Sequence, residues 1–461
     1  MLEQYSTVLL PGDVLSDATQ QQRNVDRRTS RAITFQTVLL ALLASVCALL
    51  LWQRTNSTNV GGSDFAMCER YLGTAQRLQP FSVIMTADPG TFSGVSEARY
   101  VIENLQDKHM KPVNSTVCGG VFYGSLMGQR VLVVTTGIGP PAASLCTLEV
   151  VSACGASITE ILFFGTSGWS PQLGGVLNPP DCAAANDNQQ IARLGDVCVS
   201  PFSVNWTCKK SSWAMQAVGY PNQCFRPEEV TSPSDDALHG DCQFYADNLE
   251  ANLALASQVA QAAASPKGQL HMPMRSPAVV AVDRRYWTLM QNATGAHYPL
   301  HLHQPPRVWN YTQCMEVDGQ FFFSGVPWEV KARDYAAQTL AAALGGTWSA
   351  ADVLAVSAME GIGVAEALLK YHQLAHTRRK IPYTHVRTLS NWLHPPVHQV
   401  RPGVWEIAVE LPEDFVTGYG YAIATGSSVL MSLYQQRCVE RSTLVPGAHN
   451  CSYTISYDST A

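Results

Sequence analysis

The chain has 461 residues, 14% of them charged, and a formal net charge of -6 at pH 7. This length suits one large domain with insertions or two domains. Because charged residues are few and acidic residues outnumber basic ones, the composition argues against a basic nucleic-acid-binding face.

An uncharged apolar run near the amino terminus predicts a transmembrane helix. Residues 32–53 lie between Arg31 and Arg54 without a charged side chain, and roughly 20 apolar residues are enough to cross a bilayer. Arginines are more frequent before the run than just after it, which predicts a cytosolic amino terminus. A cleaved signal peptide is the alternative, but about thirty polar residues make an unusually long leading region for one. We therefore predict a cytosolic tail at 1–31, a signal-anchor at 32–53 and a linker at 54–79.

Glycosylation sequons favour the same orientation. Six N-x-[ST] triplets follow the apolar run and none precedes it. They begin at Asn56, Asn114, Asn205, Asn292, Asn310 and Asn450. The sequence thus predicts a single-pass type II membrane glycoprotein whose body is lumenal or extracellular.

Twelve of the thirteen cysteines follow the apolar run, and five crowd into one segment: Cys182, Cys198, Cys208, Cys224 and Cys242. In an oxidising compartment such crowding predicts disulfides, and the competing zinc interpretation lacks a C-x-x-C pair there. Cys146 and Cys154 lie in an apolar helical pattern and are expected to be ordinary buried thiols. Cys451 is expected to pair with Cys438 or with the crowded segment.

From Pro80 onward, short apolar runs alternate with helical segments. The predicted strands are 81–85, 121–126, 131–135, 161–164, 321–323, 353–356 and 383–389, and the predicted helices are 141–154, 360–369 and 415–434. This alternation predicts an α/β sandwich with a largely parallel or mixed sheet.

Met359 and Glu360 follow the predicted strand 353–356 directly. Ligands of open α/β sheets bind at the carboxyl ends of strands, where a carboxylate can accept hydrogen bonds from a sugar diol. The alternative is that Glu360 only caps the next helix, since acids are common in first turns. Two glycine-bearing turns, 135–140 and 165–168, would let backbone N–H groups approach a ligand, although tight strand-on-helix packing is the commoner cause of such glycines.

Five short motifs follow one another along this pattern: Thr136–Gly139, Phe163–Gly168, Leu194–Val197, Ser357–Gly361 and Val386–Ser390. In this order the chain resembles the nucleoside phosphorylase superfamily, which includes purine nucleoside and uridine phosphorylases, methylthioadenosine nucleosidases and plant bark storage proteins. The bark storage branch looks closest. The resemblance implies a three-layer α/β sandwich with a central mixed sheet over 80–438, interrupted by a cysteine-rich insertion at 179–320 and followed by a tail at 439–461.

The resemblance also implies an activity, which is binding of a nucleoside and cleavage of its N-glycosidic bond through an oxocarbenium-like transition state. Phosphorolysis is the favoured route, with phosphate as co-substrate and no other cofactor. The implied contacts divide among sugar, nucleophile and base: Met359 and Glu360 for ribose, Thr136 and Gly137 near the nucleophile and sugar, Ser167 and Gly168 beside the base, and Asn391 on the base.

Two departures from the family pattern favour an alternative function. Asn391 stands where many purine-specific members have an aspartate, and an amide cannot transfer a proton to the leaving base. Gly90 falls about where nucleosidases place a glutamate, and neither Asp88 nor Arg99 matches a family residue that binds water or phosphate. The alternative is a non-catalytic storage or nucleoside-binding membrane glycoprotein on the same fold.

Other side chains receive weaker interpretations. His297, His301 and His303 could share a metal, but a proline-flanked loop explains them as well, so no metal site is predicted. An arginine of 283–285 could reach the crevice, although a solvated strand end is the commoner case. Trp206 and Trp328 could stack on a base or be buried. The expected partners are a small nucleoside, the membrane through the chain's own helix and, as a homo-oligomer, further copies of the chain.

Overall fold

The computed structural model describes part of the chain: residues 67–72, 79–109, 115, 117–169, 192–205, 248–294, 305–319, 326–350, 353–374, 379–392, 397–401, 404–407, 411–444 and 450–457. The chain divides into two units, 1–64 and 65–461, and the described residues all belong to the second. The predicted tail and transmembrane run at 1–53, the predicted strand 321–323 and most of the linker lie outside them. No helix in the described ranges is both long and apolar enough to cross a bilayer.

The described strands form a mixed sheet of eleven strands and a separate hairpin. The sheet strands are β1 (Phe81–Thr86), β2 (Gln106–His109), β3 (Gly120–Leu126), β4 (Gln129–Thr135), β5 (Ile158–Trp169), β6 (Val197–Ser200), β7 (Ser203–Asn205), β8 (Val308–Trp309), β9 (Cys314–Asp318), β10 (Leu354–Ala358) and β11 (Tyr383–Trp392). The hairpin consists of β12 (Val397–Arg401) and β13 (Val404–Ile407).

The centre of the sheet is parallel. β1 pairs in parallel with β4 and β5, and β5 pairs in parallel with β11. β10 is parallel to β9 but runs antiparallel to the end of β5. The strands β1, β4, β5 and β11 therefore end at one edge, as predicted for a ligand-binding α/β sheet.

Eight helices, besides the short helical segment 67–71, accompany the sheet among the described residues. They are α1 (Arg99–Glu103), α2 (Pro140–Cys154), α3 (Leu249–Ala264), α4 (Pro266–Leu270), α5 (Pro277–Thr294), α6 (Val326–Leu344), α7 (Gly361–Leu374) and α8 (Pro412–Leu444).

Side chains alternate between the two faces of the buried strands, which produces three layers. Val83 and Met85 of β1 share a core with α2 and α7, whereas Ile84 shares the opposite core with α3 and α8. Because successive residues of a strand point to opposite faces, a run of apolar residues such as β1 must be covered on both sides. The predicted α/β sandwich with a central mixed sheet is thus observed.

Two glycines let the long helix α8 lie close to the sheet. A Cβ added at Gly426 would lie 2.3 Å from the Phe164 ring, and one at Gly418 would lie 2.5 Å from the Ser390 carbonyl oxygen. Gly418 thus allows α8 to reach the end of β11, where Ser390 and Asn391 lie.

Three predicted elements differ from the structure. The predicted turn 165–168 is the end of β5, which continues to Trp169. The predicted closing helix 415–434 is longer in the structure, where it is α8 (Pro412–Leu444). The segment around Asp283 is helical rather than a strand end, because it belongs to α5, and Asp283 is buried against Arg275. The predicted solvated end is therefore wrong for Asp283.

Four disulfides join described cysteines: Cys68–Cys154, Cys118–Cys146, Cys198–Cys314 and Cys438–Cys451. The predicted Cys438–Cys451 pair is confirmed. The prediction that Cys146 and Cys154 are free thiols is wrong, because each has a partner outside its own helix. The crowded Cys182, Cys208, Cys224 and Cys242 lie outside the described residues.

Candidate functional site

A cavity of about 350 Å³ lies at the edge where the central parallel strands end. Its size is in the range of small-molecule sites. The described residues lining it are Ala87, Asp88, Phe92, Glu97, Ile138, Thr166, Ser167, Ala358, Met359, Glu360, Ser390, Asn391, Phe415 and Tyr419. Among these residues are three carboxylates and no Lys, Arg or His.

Glu360 lies where the sequence predicted it, between the end of β10 and the start of α7. Its side chain is held from two sides. Glu360 Oε1 accepts a hydrogen bond of 3.0 Å from the Gly139 N–H, and Oε2 accepts one of 3.4 Å from Arg387 Nη2. Gly139 has a φ of 91°, a conformation that glycine adopts without steric cost.

This arrangement leaves acceptor capacity on Glu360. Each carboxylate oxygen has two lone-pair positions, and each oxygen of Glu360 uses one of them within the protein. Two positions remain for a ligand. A vicinal diol offers two hydroxyl donors, so the carboxylate and a ribose ring are complementary.

A buried charged cluster supports Glu360 from beneath. Arg387 of β11 is 1% exposed and donates to Glu316 Oε1 at 2.6 Å as well as to Glu360. His385 Nδ1 lies 2.5 Å from Glu316 Oε2. Burial alone would raise the pKa of Glu316, but the charges of Arg387 and His385 lower it to about 2. Glu316 is thus ionised at neutral pH and holds Arg387 beneath the cavity.

Asp318 lies beside this cluster, and its pKa shifts in the opposite direction from that of Glu316. Burial, reinforced by the charge of Glu316, raises the pKa of Asp318 well above its ordinary value. Its carboxyl accepts a hydrogen bond from the Ser203 hydroxyl. Gly361 has to be small here, since a Cβ on it would lie 2.5 Å from Glu316 Oε1 and 2.7 Å from Asp318 Oδ2.

Glu97 is the second carboxylate of the cavity, and its oxygens are fully used by the protein. Oε2 accepts from the N–H groups of Ala87 at 2.9 Å and Asp88 at 3.0 Å. Oε1 accepts from the Thr166 N–H at 2.8 Å and from its hydroxyl at 3.1 Å. Burial raises the pKa of Glu97, while the N–H donors of Asp88 and Thr166 and the charge of Arg387 oppose that rise.

Asp88 shapes the loop between β1 and α1. Its oxygens accept from the N–H groups of Gly90, Thr91 and Phe92 and, at 2.7 Å, from the Tyr419 hydroxyl. Burial, with the nearby charges of Glu97 and Asp88, raises the pKa of Tyr419, which therefore stays a neutral donor. Asp88 thus joins the first loop to α8.

The other side of the cavity offers neutral polar groups. Ser390 Oγ lies 2.8 Å from Asn391 Oδ1 and 3.2 Å from the Ser167 carbonyl oxygen. The pairing of β11 with β5 shifts register between Leu389 and Asn391. Such a bulge re-aims side chains at the end of a strand, and here Ser390 and Asn391 both line the cavity.

Aromatic rings border the cavity at α8 and the first loop. Phe415 and Tyr419 stack with ring centroids 5.6 Å apart, and Phe92 meets both rings edge-on at 6.2 and 6.1 Å. Phe92 is 53% exposed. These rings provide apolar faces against which a planar ligand could pack.

The structure brings together four of the seven site residues predicted from the sequence: Met359, Glu360, Ser167 and Asn391 line the cavity. The other three are not among the lining residues. Thr136 and Gly137 donate their N–H groups to the carbonyl oxygens of Thr86 and Ala87, and Gly168 pairs with β10.

The sequence analysis missed Glu97 and the rings of Phe92, Phe415 and Tyr419. The signal for Glu97 is a single acid just before a short helix, which has no periodicity to distinguish it. Arg285 donates to Asp414 rather than reaching the cavity, and neither it nor Arg284 is among the lining residues. Four other candidates lie outside the described residues: Trp206 and the histidines His297, His301 and His303.

A family model matches the part of the chain that forms β1 to β5. Residues 82–173 match the phosphorylase superfamily. The predicted resemblance to this superfamily is confirmed. The matched segment contains Glu97, Thr166 and Ser167 of the cavity, whereas Glu360 and Asn391 follow it along the chain. The closer likeness to the bark storage branch stays a prediction, and no curated protein matches the chain.

Several solved structures are similar to the chain. A 5'-methylthioadenosine/S-adenosylhomocysteine nucleosidase of Neisseria meningitidis, in complex with methylthio-immucillin-A, has 12% identity and a TM-score of 0.38 over 77% of this chain and 99% of that chain. The corresponding enzyme of Colwellia psychrerythraea, in complex with adenine, has 16% identity and a TM-score of 0.37 over 78% of this chain and 96% of that chain. Futalosine hydrolase of Helicobacter pylori has 13% identity and a TM-score of 0.39 over 77% of this chain and 98% of that chain. Similarities at this level assign no activity to the chain.

Proposed function

We propose that the cavity binds a nucleoside and that the protein cleaves its N-glycosidic bond. The observation that carries this proposal is Glu360, a nearly buried carboxylate whose two oxygens are each fixed by one protein donor and each keep one position for a ligand. Two adjacent hydroxyls of a ribose ring fit those positions. The match of residues 82–173 to the phosphorylase superfamily supports the same ligand class.

The charges of the cavity suit the chemistry of glycosyl transfer. Departure of the base leaves positive charge on the sugar ring, and preorganised negative groups stabilise that charge in a site that excludes water. Glu360 and Glu97 lie at the cavity wall, and the described lining contains no cation to oppose them. The carboxylates should therefore favour the transition state over the neutral substrate.

The neutral side of the cavity is suited to the base. Asn391 offers an amide that can donate to or accept from a base edge, and the stacked rings of Phe415 and Tyr419 offer apolar contact. This placement divides the cavity into a sugar side at Glu360 and a base side at Asn391.

The favoured acceptor of the sequence analysis was phosphate. A phosphate ordinarily requires charge-assisted donors, and the lining residues include none. Arg387, the guanidinium beneath the cavity, is engaged by Glu316 and Glu360. The described residues therefore give phosphorolysis less support than they give cleavage of the glycosidic bond itself.

A second candidate is a nucleoside-binding protein without turnover. Asn391 favours it, because an amide cannot protonate a leaving base. This candidate requires the same contacts of Glu360 with ribose, so binding alone does not separate it from the enzyme.

Base release by the full-length protein tests the proposal. The protein, made through a secretory pathway that forms disulfides, would be mixed with a panel of purine and pyrimidine nucleosides, and free base would be measured by chromatography. Glu360→Gln keeps the shape but removes the charge, and hydrogen bonds to charged groups contribute about 1.5–3 kcal/mol. The substitution should thus weaken nucleoside binding by roughly tenfold to a hundredfold and abolish release.

Glu103→Gln is the matched control, because Glu103 is an exposed acid that pairs with Arg99 away from the cavity. It should bind and cleave like the unaltered protein. Binding without release would select the second candidate. Failure to bind any nucleoside, or equal effects of the two substitutions, would contradict the assignment of Glu360.

We also propose that the cavity lies on the lumenal or extracellular side of a membrane crossed by residues 32–53. Four disulfides among the described residues support an oxidising compartment. Two described sequon asparagines, Asn310 and Asn450, are exposed. Sensitivity of the full-length protein to an N-glycosidase, with its amino terminus labelled only after permeabilisation, would test this orientation.

A further inference from the structure

The base side of the cavity holds an amide whose orientation is fixed by its neighbour. Ser390 Oγ donates to Asn391 Oδ1 at 2.8 Å, so the amide oxygen already has a protein partner. The Asn391 Nδ2 group can then donate to a ligand. An amide N–H binds a carbonyl or carboxamide oxygen of a base, but it cannot transfer its proton to a nitrogen that leaves the sugar.

The acidic side chains of the described lining do not replace the missing proton donor. Asp88 and Glu97 each accept four hydrogen bonds from the protein, and a carboxylate that uses all four lone-pair positions carries no proton to transfer. Glu360 lies on the sugar side. The Tyr419 hydroxyl donates to Asp88, and burial with the nearby carboxylate charges raises its pKa, which makes it a weak acid.

A neutral base is therefore a poor leaving group in this cavity. When the carbon–nitrogen bond breaks, its electron pair moves onto the base nitrogen, and a neutral base without an added proton departs as an anion. General acids that supply this proton typically raise reaction rates by about 100-fold to 10,000-fold. A base that is positively charged before the bond breaks departs as a neutral molecule, so it needs no proton donor.

The charges around the cavity favour such a base. The described lining contains the carboxylates of Asp88, Glu97 and Glu360 and no Lys, Arg or His. Arg387, the buried guanidinium beneath the cavity, is paired with Glu316 at 2.6 Å as well as with Glu360, so its charge is shared with a carboxylate outside the lining. A positively charged ligand therefore meets acidic groups that the lining itself does not neutralise.

The aromatic rings of the cavity add a second attraction for a cation. Phe92, Phe415 and Tyr419 lie with their ring centroids within 6.2 Å of one another. Phe92 is 53% exposed and Phe415 is half-buried, so both can contact a ligand. Cations are attracted to the faces of aromatic rings. The rings and carboxylates thus suit a flat cation that also accepts a hydrogen bond from Asn391.

We propose that the preferred substrates are nucleosides whose base carries a positive charge, such as an N-ribosylpyridinium. This inference rests on the proposed cleavage of nucleosides and names the substrate class of the same cavity. The carbon–nitrogen bond breaks with its electron pair on the ring nitrogen, which neutralises the base, and the positive charge moves to the sugar ring beside Glu360. With water as the acceptor, its oxygen bonds to the anomeric carbon and one of its protons passes to the solvent. The products are then a free sugar, a neutral base and a proton.

Binding of a matched pair of analogues tests the charge preference without turnover. The carbocyclic analogue of nicotinamide riboside carries a pyridinium ring, and its dihydro form has the same shape and carboxamide without the charge. Neither is cleaved, because carbon replaces the ring oxygen that would stabilise the sugar cation. Calorimetric titration of the full-length protein should give a Kd about twofold to thirtyfold lower for the cation, the range expected for a cation on an aromatic face.

Two substitutions locate the origin of this preference. Phe415→Leu removes one ring of the cavity and should reduce the ratio of the two affinities. Phe122→Leu is the matched control, because Phe122 is a partly buried ring of β3 that is not among the lining residues. It should leave the ratio unchanged.

Rates of base release supply the second measurement. Release from nicotinamide riboside and from inosine by the full-length protein would each be divided by the rate in buffer alone, which removes the intrinsic difference between the two bonds. The corrected rate should be at least about 100-fold higher for nicotinamide riboside, the lower end of what a general acid supplies. In Asn391→Asp this preference should shrink, because only inosine gains from a proton donor, whereas Glu103→Gln should retain it.

The outcomes separate this inference from the proposed function. Equal or tighter binding of the uncharged analogue, or a corrected rate for inosine that matches that for nicotinamide riboside, would overturn the inference and leave the cleavage of nucleosides standing. If the protein releases base from neither nucleoside, the inference and the proposed cleavage both fail. If Phe415→Leu does not fold, the ratio of the two affinities in the unaltered protein decides alone.

Discussion

Removing the guanidinium of Arg387 should destabilise the protein strongly, since its partners are buried. Arg387→Met keeps an apolar chain of similar length in a position that is 1% exposed. It leaves Glu316 without the donor at 2.6 Å and Glu360 without the one at 3.4 Å. Breaking a buried ion pair from one side costs about 3–5 kcal/mol, a large share of the roughly 5–15 kcal/mol by which domains are stable.

Urea unfolding of the full-length protein, followed by tryptophan fluorescence, would measure this loss. Arg99→Met is the matched control, because Arg99 pairs with Glu103 on the surface, where such pairs contribute about 0.5 kcal/mol. Adding Glu316→Gln to Arg387→Met should restore much of the lost free energy, since the uncompensated charge is gone. A loss below about 1 kcal/mol for Arg387→Met, or strictly additive effects of the two substitutions, would refute the ion-pair reasoning.

The same pair predicts a pH dependence whose sign follows from the pKa of Glu316. Arg387 and His385 lower this pKa from 4.5 to about 2 against the opposing effect of burial. The folded state therefore holds the proton less tightly than the unfolded state, and the stabilisation is present above about pH 4.5 and is lost as the pH falls toward 2. This acid-dependent loss should be smaller in Arg387→Met, which a pH series of the same unfolding measurement would show.

Two further substitutions test the protonation states around the cavity. Burial and the charge of Glu316 raise the pKa of Asp318 well above its ordinary value of 3.8, so this carboxyl lowers stability as the pH rises above that value toward its folded-state pKa. Asp318→Asn should therefore become increasingly stabilising relative to the unaltered protein as the pH rises above about 4, and equal pH profiles of the unfolding free energy would contradict this. Asn391→Asp supplies a carboxyl that can donate a proton to a leaving base, and general acids typically raise reaction rates by about 100-fold to 10,000-fold. The rate of base release from purine nucleosides should therefore rise at mildly acidic pH. An unchanged rate in a folded variant would show that Asn391 does not face the base.

The parts of the fold that follow local patterns were predictable from the sequence. The run from Phe81 to Thr86 is apolar and β-branched enough to be a buried strand, and Pro140 with Pro141 marks the start of α2. Glu360 was located for the same reason, because the change from strand to helix pattern places it at a strand end. Local periodicity was not sufficient around Asp283, where an apolar run of four residues fits a helix as well as a strand.

Contacts between distant segments were not predictable in this way. Cys146 looked like an ordinary core residue because its helix is apolar, and only the approach of the segment at Cys118 pairs it. Tyr419 meets Asp88 across 331 positions of the chain. The hydrogen bonds that saturate Glu97 come from N–H groups at two strand ends, which converge only after β1 and β5 pair side by side.

By itself, the sequence determined the α/β alternation, the resemblance to the phosphorylase superfamily and the position of Glu360, because each of these depends on residues that are close together in the chain. The tertiary structure alone decided which carboxylate keeps acceptor positions for a ligand and which is saturated. That distinction depends on the number of donors that reach each oxygen, and those donors come from strands and loops that packing brings together from far apart in the sequence.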